Sequence, residues 1–187
     1  KGWHHMPYLD QGEFYSEYGS YHVEITLPEN YIVMGTGNIV EEKENAWLDS
    51  LSKVAPPSFG KQGSTVKRMA KDTVTIPSSL HMKTVTFEEQ NIHDFAWFAD
   101  KKWLVRKDTI AVPGSDNIVT AYSCYNPRHG KGWDKSMEWI KDAVRGYSKA
   151  VGPYPYKTVK AVEGALSAGG GMEYPTVTVI AASDNEE

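Results

Sequence analysis

Apolar and polar residues alternate along the first part of the chain in the pattern typical of half-buried β-strands. The clearest example is Ser20–Leu27, in which one face carries only apolar side chains, namely Tyr21, Val23, Ile25 and Leu27. A second strand is predicted over Tyr31–Val40, after the turn residues Pro28-Glu29-Asn30. The highly charged stretch Glu41–Lys53 is interpreted as a loop or a short helix.

Further strands are predicted up to position 125, each separated from the next by turn residues. They are Asp72–Ile76, Met82–Glu88, Phe95–Val105, Thr109–Val112 and Asn117–Tyr125. Short strands at this spacing are typical of an antiparallel sheet or sandwich. The pattern therefore predicts a mainly β protein in this region.

The spacing of apolar residues changes from two to about 3.6 after position 125. A helix is predicted whose apolar stripe consists of Met137, Ile140, Val144, Tyr147 and Val151. Asp134 can cap its start, and Gly152-Pro153 ends it. Two strand-like segments follow, Thr158–Val162 and Tyr174–Ala182. The change near Tyr125-Asn126-Pro127 predicts two domains, residues 1–125 and 126–187.

Composition and charge exclude several classes of partner. The 187 residues carry a net charge of −4, and no run of Lys or Arg forms the dense stripe that nucleic acid requires. We therefore expect no nucleic-acid partner. No stretch approaches the roughly 20 apolar residues of a membrane-spanning helix, so no membrane span is predicted in this sequence. Cys124, the only cysteine, cannot form an internal disulfide.

The six histidines do not predict a metal site. A zinc site needs three or four converging ligands, and no two of these histidines have helical i, i+4 spacing. We expect His22 to be solvated and His93 to pair with Asp94. A pairing of Cys124 with His129 as nucleophile and base is a much weaker interpretation.

A run of three glycines, Gly169-Gly170-Gly171, leads into a strand, whereas phosphate-binding loops lead into a helix. Pro175 removes a backbone donor from this strand, which predicts that it lies at a sheet edge. Such an edge can accept an extended peptide as an added strand, and Glu173 can bind the peptide's terminal ammonium. On spacing alone, an ordinary exposed carboxylate is the favoured interpretation of Glu173.

A resemblance favours the peptide-binding interpretation of Glu173 over that of an ordinary exposed carboxylate. The segment Gly170-Gly171-Met172-Glu173-Tyr174 resembles the G-x-M-E-N exopeptidase motif of the aminopeptidase N family. These enzymes are zinc peptidases of gluzincin type that carry H-E-x-x-H. Two other segments, Gly12–Ser16 and His93–Asp100, are similar to the N-terminal β-domain of bacterial members. The three segments also occur in the family's order and at roughly its spacing.

The resemblance implies a saddle-shaped antiparallel β-domain followed by the first helix and strands of a thermolysin-like α/β catalytic domain. It implies a substrate-binding set made of Gly170, Gly171, Met172, Glu173 and Tyr174. Glu173 would hold the terminal ammonium, while Tyr174 stands where the motif usually has Asn. In the family H-E-x-x-H follows the exopeptidase motif, and it does not occur in this sequence.

The chain is therefore expected to be a fragment of a zinc aminopeptidase that removes N-terminal residues from peptides. The fragment would supply scaffold and the amine-binding strand, without catalytic residues, metal ligands or activity of its own, and zinc would belong to the full-length parent. We expect a peptide with a free N-terminus as partner, an extracytoplasmic (periplasmic or secreted) location, and self-association of the truncated chain. The alternative is a noncatalytic β-sandwich module that binds a protein or a carbohydrate.

Overall fold

The computed structural model describes residues 17–55, 75–166 and 169–181, in which β-strands form three sheets. The strands are β1 (Gly19–Pro28), β2 (Ile32–Gly35), β3 (Asn38–Ile39), β4 (Met82–Ile92), β5 (Trp97–Asp100), β6 (Leu104–Ala111), β7 (Ile118–Tyr125), β8 (Thr158–Gly164), β9 (Gly171–Tyr174) and β10 (Val177–Ala181). The helices are α1 (Glu42–Ser52), α2 (Gly130–Trp133) and α3 (Ser136–Val151), and a 3-10 turn over Pro127–His129 precedes α2. The predicted mainly β fold is confirmed.

The first sheet has the order β1-β4-β3 and is antiparallel. The alternation predicted for β1 is confirmed, because Ile25 and Leu27 are buried while Glu24 and Thr26 are exposed. The two buried side chains pack in a core cluster with Val33, Val85 and Phe87.

The predicted strand Tyr31–Val40 is divided in two by Gly37, whose φ of 87° lies in the left-handed region. The first part, β2, pairs with β5 in a separate two-stranded sheet, and the second, β3, joins β4. The charged stretch that follows is the helix α1, since Leu48 is fully buried and Trp47 and Leu51 pack against the main core cluster.

The second half of the described chain is built on a five-stranded sheet of order β6-β7-β8-β10-β9. Its central pairs β7–β8 and β8–β10 are parallel, and its outer pairs β6–β7 and β10–β9 are antiparallel. The connection from β7 to β8 contains α3, whose Met137, Ile140 and Val144 pack against the sheet. This sheet takes two strands from before position 125 and three from after it. The division of the chain at that position stays a prediction.

The predicted capping of α3 by Asp134 is wrong. Asp134 ends α2, and α3 has Lys135 as its N-cap residue without a side-chain cap. The predicted stripe is also too long, because Tyr147 and Val151 are 70% and 82% exposed. The predicted end is confirmed, since α3 stops before Gly152 with its φ of 119°.

The remaining strand predictions differ from the structure in their limits and in two divisions: Thr109–Val112 is the end of β6 and not a separate strand, and Tyr174–Ala182 divides into the end of β9 and β10. Strand β4 extends four residues beyond the predicted Met82–Glu88, and Phe95–Val105 separates into β5 and the start of β6. The predicted strand Asp72–Ile76 and the segment Gly12–Ser16 lie largely or wholly outside the described residues. Among the described helices, none has the length and apolar content needed to cross a membrane.

Candidate functional site

The glycine-flanked segment singled out in the sequence forms β9, at one edge of the five-stranded sheet. Its only strand partner in the described parts of the chain is β10, to which it is joined by the turn Pro175-Thr176. Strand β9 lies at an edge as predicted, but the prediction of one strand running through Pro175 is wrong, because Pro175 lies in the turn and the residues after it form the inner strand β10. No strand among the residues that the structure describes covers the outer side of β9, so this side can accept an added strand.

The two glycines before β9 are required by backbone conformation. Gly169 and Gly170 both have φ of 69°, whereas a side chain added at either position would meet nothing within 4 Å. The Gly170 carbonyl accepts a hydrogen bond from the Ala181 N–H at 2.8 Å, so it already has a partner in β10. At Gly171 a Cβ would lie 3.1 Å from the Val179 carbonyl oxygen, which is a tight approach between the two strands.

Strand β9 has one face on the core and one face in solvent. Met172 and Tyr174 pack against the main core cluster, and the Tyr174 ring lies 6.1 Å from that of Phe98. Glu173 points to the other face, is exposed, and has no hydrogen-bond or ion-pair partner among the described residues. A carboxylate without a partner among the described residues is therefore held on a strand that packs on the core.

An apolar cavity of about 420 Å³ lies between the sheet and α3, beside the face that carries Glu173. Thr178, the cross-strand partner of Glu173, lines this cavity, and so does Ile180, the partner of Gly171. Directly opposed residues of an antiparallel pair share a face of the sheet. Glu173 consequently lies on the cavity side of the sheet, at its rim.

A buried histidine–carboxylate pair lies at another part of the same cavity. His129 Nδ1 is 2.7 Å from Glu163 Oε1, and the Asn126 N–H donates to Glu163 Oε2 at 3.0 Å. This pair fixes the 3-10 turn that follows β7 onto β8. The structure does not support Cys124 and His129 as a nucleophile and base, because the Cys124 side chain is inaccessible to a substrate. Cys124 is fully buried, and burial raises the pKa of its thiol well above the usual range.

The turn between β9 and β10 is supported from beneath by two other elements. The Gly37 N–H donates to Thr176 Oγ1 at 2.8 Å, and the Lys160 N–H donates to the Thr176 carbonyl at 2.9 Å. Lys160 Nζ in turn donates to the Gly37 carbonyl at 2.5 Å. These contacts join the β2–β3 corner, β8 and the turn after β9.

Lys160 is the most unusual ionisable group near this turn. Its side chain is fully buried and forms no ion pair with any carboxylate in the described residues. Burial lowers its pKa to about 7, while the more distant Glu89 carboxylate acts in the opposite direction. Sequence reasoning missed Lys160, because a lysine within a β-branched run is usually on a solvent-exposed face.

The histidines predicted to be structural are found away from β9. His22 is exposed and its Nδ1 lies 2.7 Å from Glu88 Oε1, a hydrogen bond that raises the pKa of His22. His93 packs against the Tyr18 ring, and the Asp94 carboxylate accepts from the Phe95 N–H, so the predicted His93–Asp94 pair is not formed. Within the described residues, no three His, Cys, Asp or Glu side chains converge as a metal site would require.

The fold is similar to that of solved M1 zinc metallopeptidases. One is the enzyme from Deinococcus radiodurans (TM-score 0.53, 13% identity, 87% of this chain and 30% of that chain). Another is a two-domain M1 zinc metallopeptidase mutant bound to L-arginine (TM-score 0.55, 14% identity, 89% of this chain and 31% of that chain). A third is Legionella pneumophila aminopeptidase A in complex with aspartic acid (TM-score 0.55, 11% identity, 86% of this chain and 16% of that chain). No protein-family profile and no curated protein matches the chain.

These likenesses concern the fold, because the identities are low. The chain spans about a third of the length of the M1 metallopeptidases that it matches, and less of the Legionella enzyme.

Proposed function

We propose that this chain is part of a zinc-dependent aminopeptidase and supplies its scaffold and its amine-binding edge strand. The observation that carries the proposal is the exposed, unpaired carboxylate of Glu173 on the core-anchored edge strand β9. The fold likeness to M1 zinc metallopeptidases supports the same class of enzyme.

The chemistry of β9 suits a peptide with a free N-terminus. An extended peptide can add to the open edge by backbone hydrogen bonds, and Glu173 can accept charge-assisted hydrogen bonds from its terminal ammonium. Fixing the ammonium sets the position of the first peptide bond along the strand. In this proposal Glu173 and the glycines contact the peptide, while Met172 and Tyr174 hold the strand on the core.

The described residues do not fit a zinc site, since no three ligating side chains come together. The proposal therefore assigns the zinc ligands to parts of the parent protein outside these residues. No step of peptide hydrolysis is assigned to this chain alone, and we expect the isolated chain to be inactive. An extracytoplasmic location remains part of the same proposal.

The test is a titration of the isotope-labelled chain with the tripeptide Ala-Ala-Ala and with its N-acetylated form, followed by NMR. A charge-assisted hydrogen bond is worth roughly 1.5–3 kcal/mol, so we expect about ten-fold or greater preference for the free amine. Glu173→Gln should abolish the preference, whereas Glu138→Gln, which removes an exposed carboxylate from α3, should retain it. Equal binding of both peptides by the unmodified chain would contradict the proposal.

The alternative of a noncatalytic binding module is distinguished by the parent gene. The aminopeptidase proposal expects the parent gene to encode H-E-x-x-H and a further glutamate after Glu187. A parent that lacks them but binds peptides through Glu173 would instead be a peptide-binding protein without hydrolytic activity.

A further inference from the structure

The turn that follows the candidate strand holds a residue in an unfavourable conformation. Thr176 has φ of 61° and is 6% exposed. It follows Pro175 at the turn position where a positive φ normally selects glycine or asparagine. A β-branched residue is strained there, so the surrounding contacts must hold it in place.

Three hydrogen bonds provide that support and form a closed triangle, which we call the Thr176 clamp, consisting of Gly37, Lys160 and Thr176. Thr176 accepts through its hydroxyl from the Gly37 N–H and through its carbonyl from the Lys160 N–H. The Lys160 ammonium donates to the Gly37 carbonyl and closes the triangle. All three residues are positioned by different elements, so the clamp fixes these elements relative to one another.

We propose that the Thr176 clamp is a positioning device for β9, with Thr176 and Lys160 as positioning residues for Glu173. The inference rests on the proposed function where it concerns Glu173, but the fixing of β9 does not depend on it. Strand β9 has four residues, follows two glycines with positive φ, and pairs with only β10 in the described chain. The turn beyond Tyr174 is therefore the end at which the strand can be fixed.

The geometry explains why threonine occupies this position. Glycine would relieve the backbone strain but would leave the Gly37 N–H without an acceptor. Valine has the shape of threonine without the hydroxyl, so it would keep the strain and lose the acceptor. Serine would keep the acceptor, and it serves as the conservative variant that should restore the clamp.

The first arm of the experiment measures amide hydrogen exchange in the unmodified chain and in Thr176→Val, Thr176→Ser and Ser123→Ala. Ser123→Ala is the matched control, because it removes a buried hydroxyl hydrogen bond, to Ser136 at 2.6 Å, elsewhere in the same sheet. In Thr176→Val we expect the protected amides of Gly171–Tyr174 to exchange at least about ten-fold faster relative to those of α3. Thr176→Ser should stay within about three-fold of the unmodified chain.

The inference is overturned if Thr176→Val accelerates exchange in β9 and α3 equally, because the hydroxyl would then act only on global stability. Ser123→Ala acts at the start of α3 and should not accelerate exchange selectively in β9. A second arm repeats the tripeptide titration with Thr176→Val at a temperature where the variant is folded. Loss of the preference for a free amine supports the inference. If the unmodified chain shows no such preference, the proposed function fails, while the exchange arm still decides whether the clamp fixes β9.

Discussion

The Gly37 N–H and the Thr176 hydroxyl form a buried hydrogen bond of 2.8 Å between residues that lie 139 positions apart in the sequence. One end lies at the corner between β2 and β3, and the other in the turn directly after the candidate peptide-binding strand. The position of β9 therefore depends on packing in the N-terminal half of the chain as well as on its own sheet.

Replacing Gly37 with alanine should destabilise the protein strongly. Its φ of 87° disfavours any side chain, and a Cβ would lie 2.5 Å from the Glu88 carbonyl oxygen. Strain and overpacking together are expected to lower the free energy of unfolding by about 2–4 kcal/mol, measured by urea denaturation. Gly146→Ala is the control, since nothing lies within 4 Å of the added methyl group in α3. That variant should be neutral or stabilising by up to about 1 kcal/mol, and an equal loss in both variants would contradict the structure.

The buried Lys160 predicts an unusual dependence of stability on pH. Burial lowers the pKa of Lys160 to about 7 in the folded protein, from an ordinary value of 10.5 that applies in the unfolded chain. Between these values the unfolded chain binds one more proton at this residue, so the free energy of unfolding should rise with pH. Between the two pKa values Lys160 contributes a slope of about 1.4 kcal/mol per pH unit to the free energy of unfolding. Below pH 7 both states are protonated, so the stability gained at high pH is lost and the slope disappears.

The measurement is urea denaturation between pH 7.5 and 8.5, below the range in which Cys124 acts. The Cys124 thiol is harder to ionise in the folded state, so from about pH 9 upward its contribution opposes that of Lys160 and flattens the rise. Lys160→Met should remove the rise between pH 7.5 and 8.5, whereas Lys149→Met, at an exposed position of α3, should retain it. If the free energy of unfolding of Lys160→Met rises with the same slope, a group other than Lys160 causes the pH dependence.

Exposed apolar residues beside the large cavity predict self-association of the isolated chain. Trp139 is 57% exposed and Ile180 is 39% exposed, and both line the cavity. Trp139→Glu should shift the sedimentation velocity of concentrated samples toward the monomer, because it places a charge within the apolar surface. Tyr147→Glu is the control, since Tyr147 is exposed on the same helix and does not line the cavity. A monomer at every concentration would show that this surface does not drive association.

Local patterns in the sequence predicted the parts of the fold in which one face of an element is buried. The alternation in β1 follows directly from such burial, and the 3.6-residue spacing predicted α3 up to Val144. The edge position was predicted through Pro175, but for one continuous strand, which the structure divides at Pro175 into β9 and the inner strand β10. For Glu41–Lys53 the sequence left a loop and a short helix open, because only Leu48 and its neighbours Trp47 and Leu51 give the helix α1 an apolar side.

Features that depend on distant contacts had no local signal. Threonine is disfavoured at a positive φ, so nothing near Thr176 in the sequence predicts its conformation. The burial of Lys160 depends on the Gly37 carbonyl, which comes from another element 123 positions away. The candidate carboxylate could thus be identified from a motif, while the residues that fix its strand required the three-dimensional structure.

The five-stranded sheet also constrains how the polypeptide can be divided for experiments. Its central parallel pair joins β7, which ends at Tyr125, to β8, which begins at Thr158. A piece that stops after β7 would expose the backbone edge that β8 covers, and the complementary piece would lack two of the five strands. We therefore expect a cut after β7 to disturb this sheet, and the two pieces are best studied together, as a split pair that should regain structure on mixing.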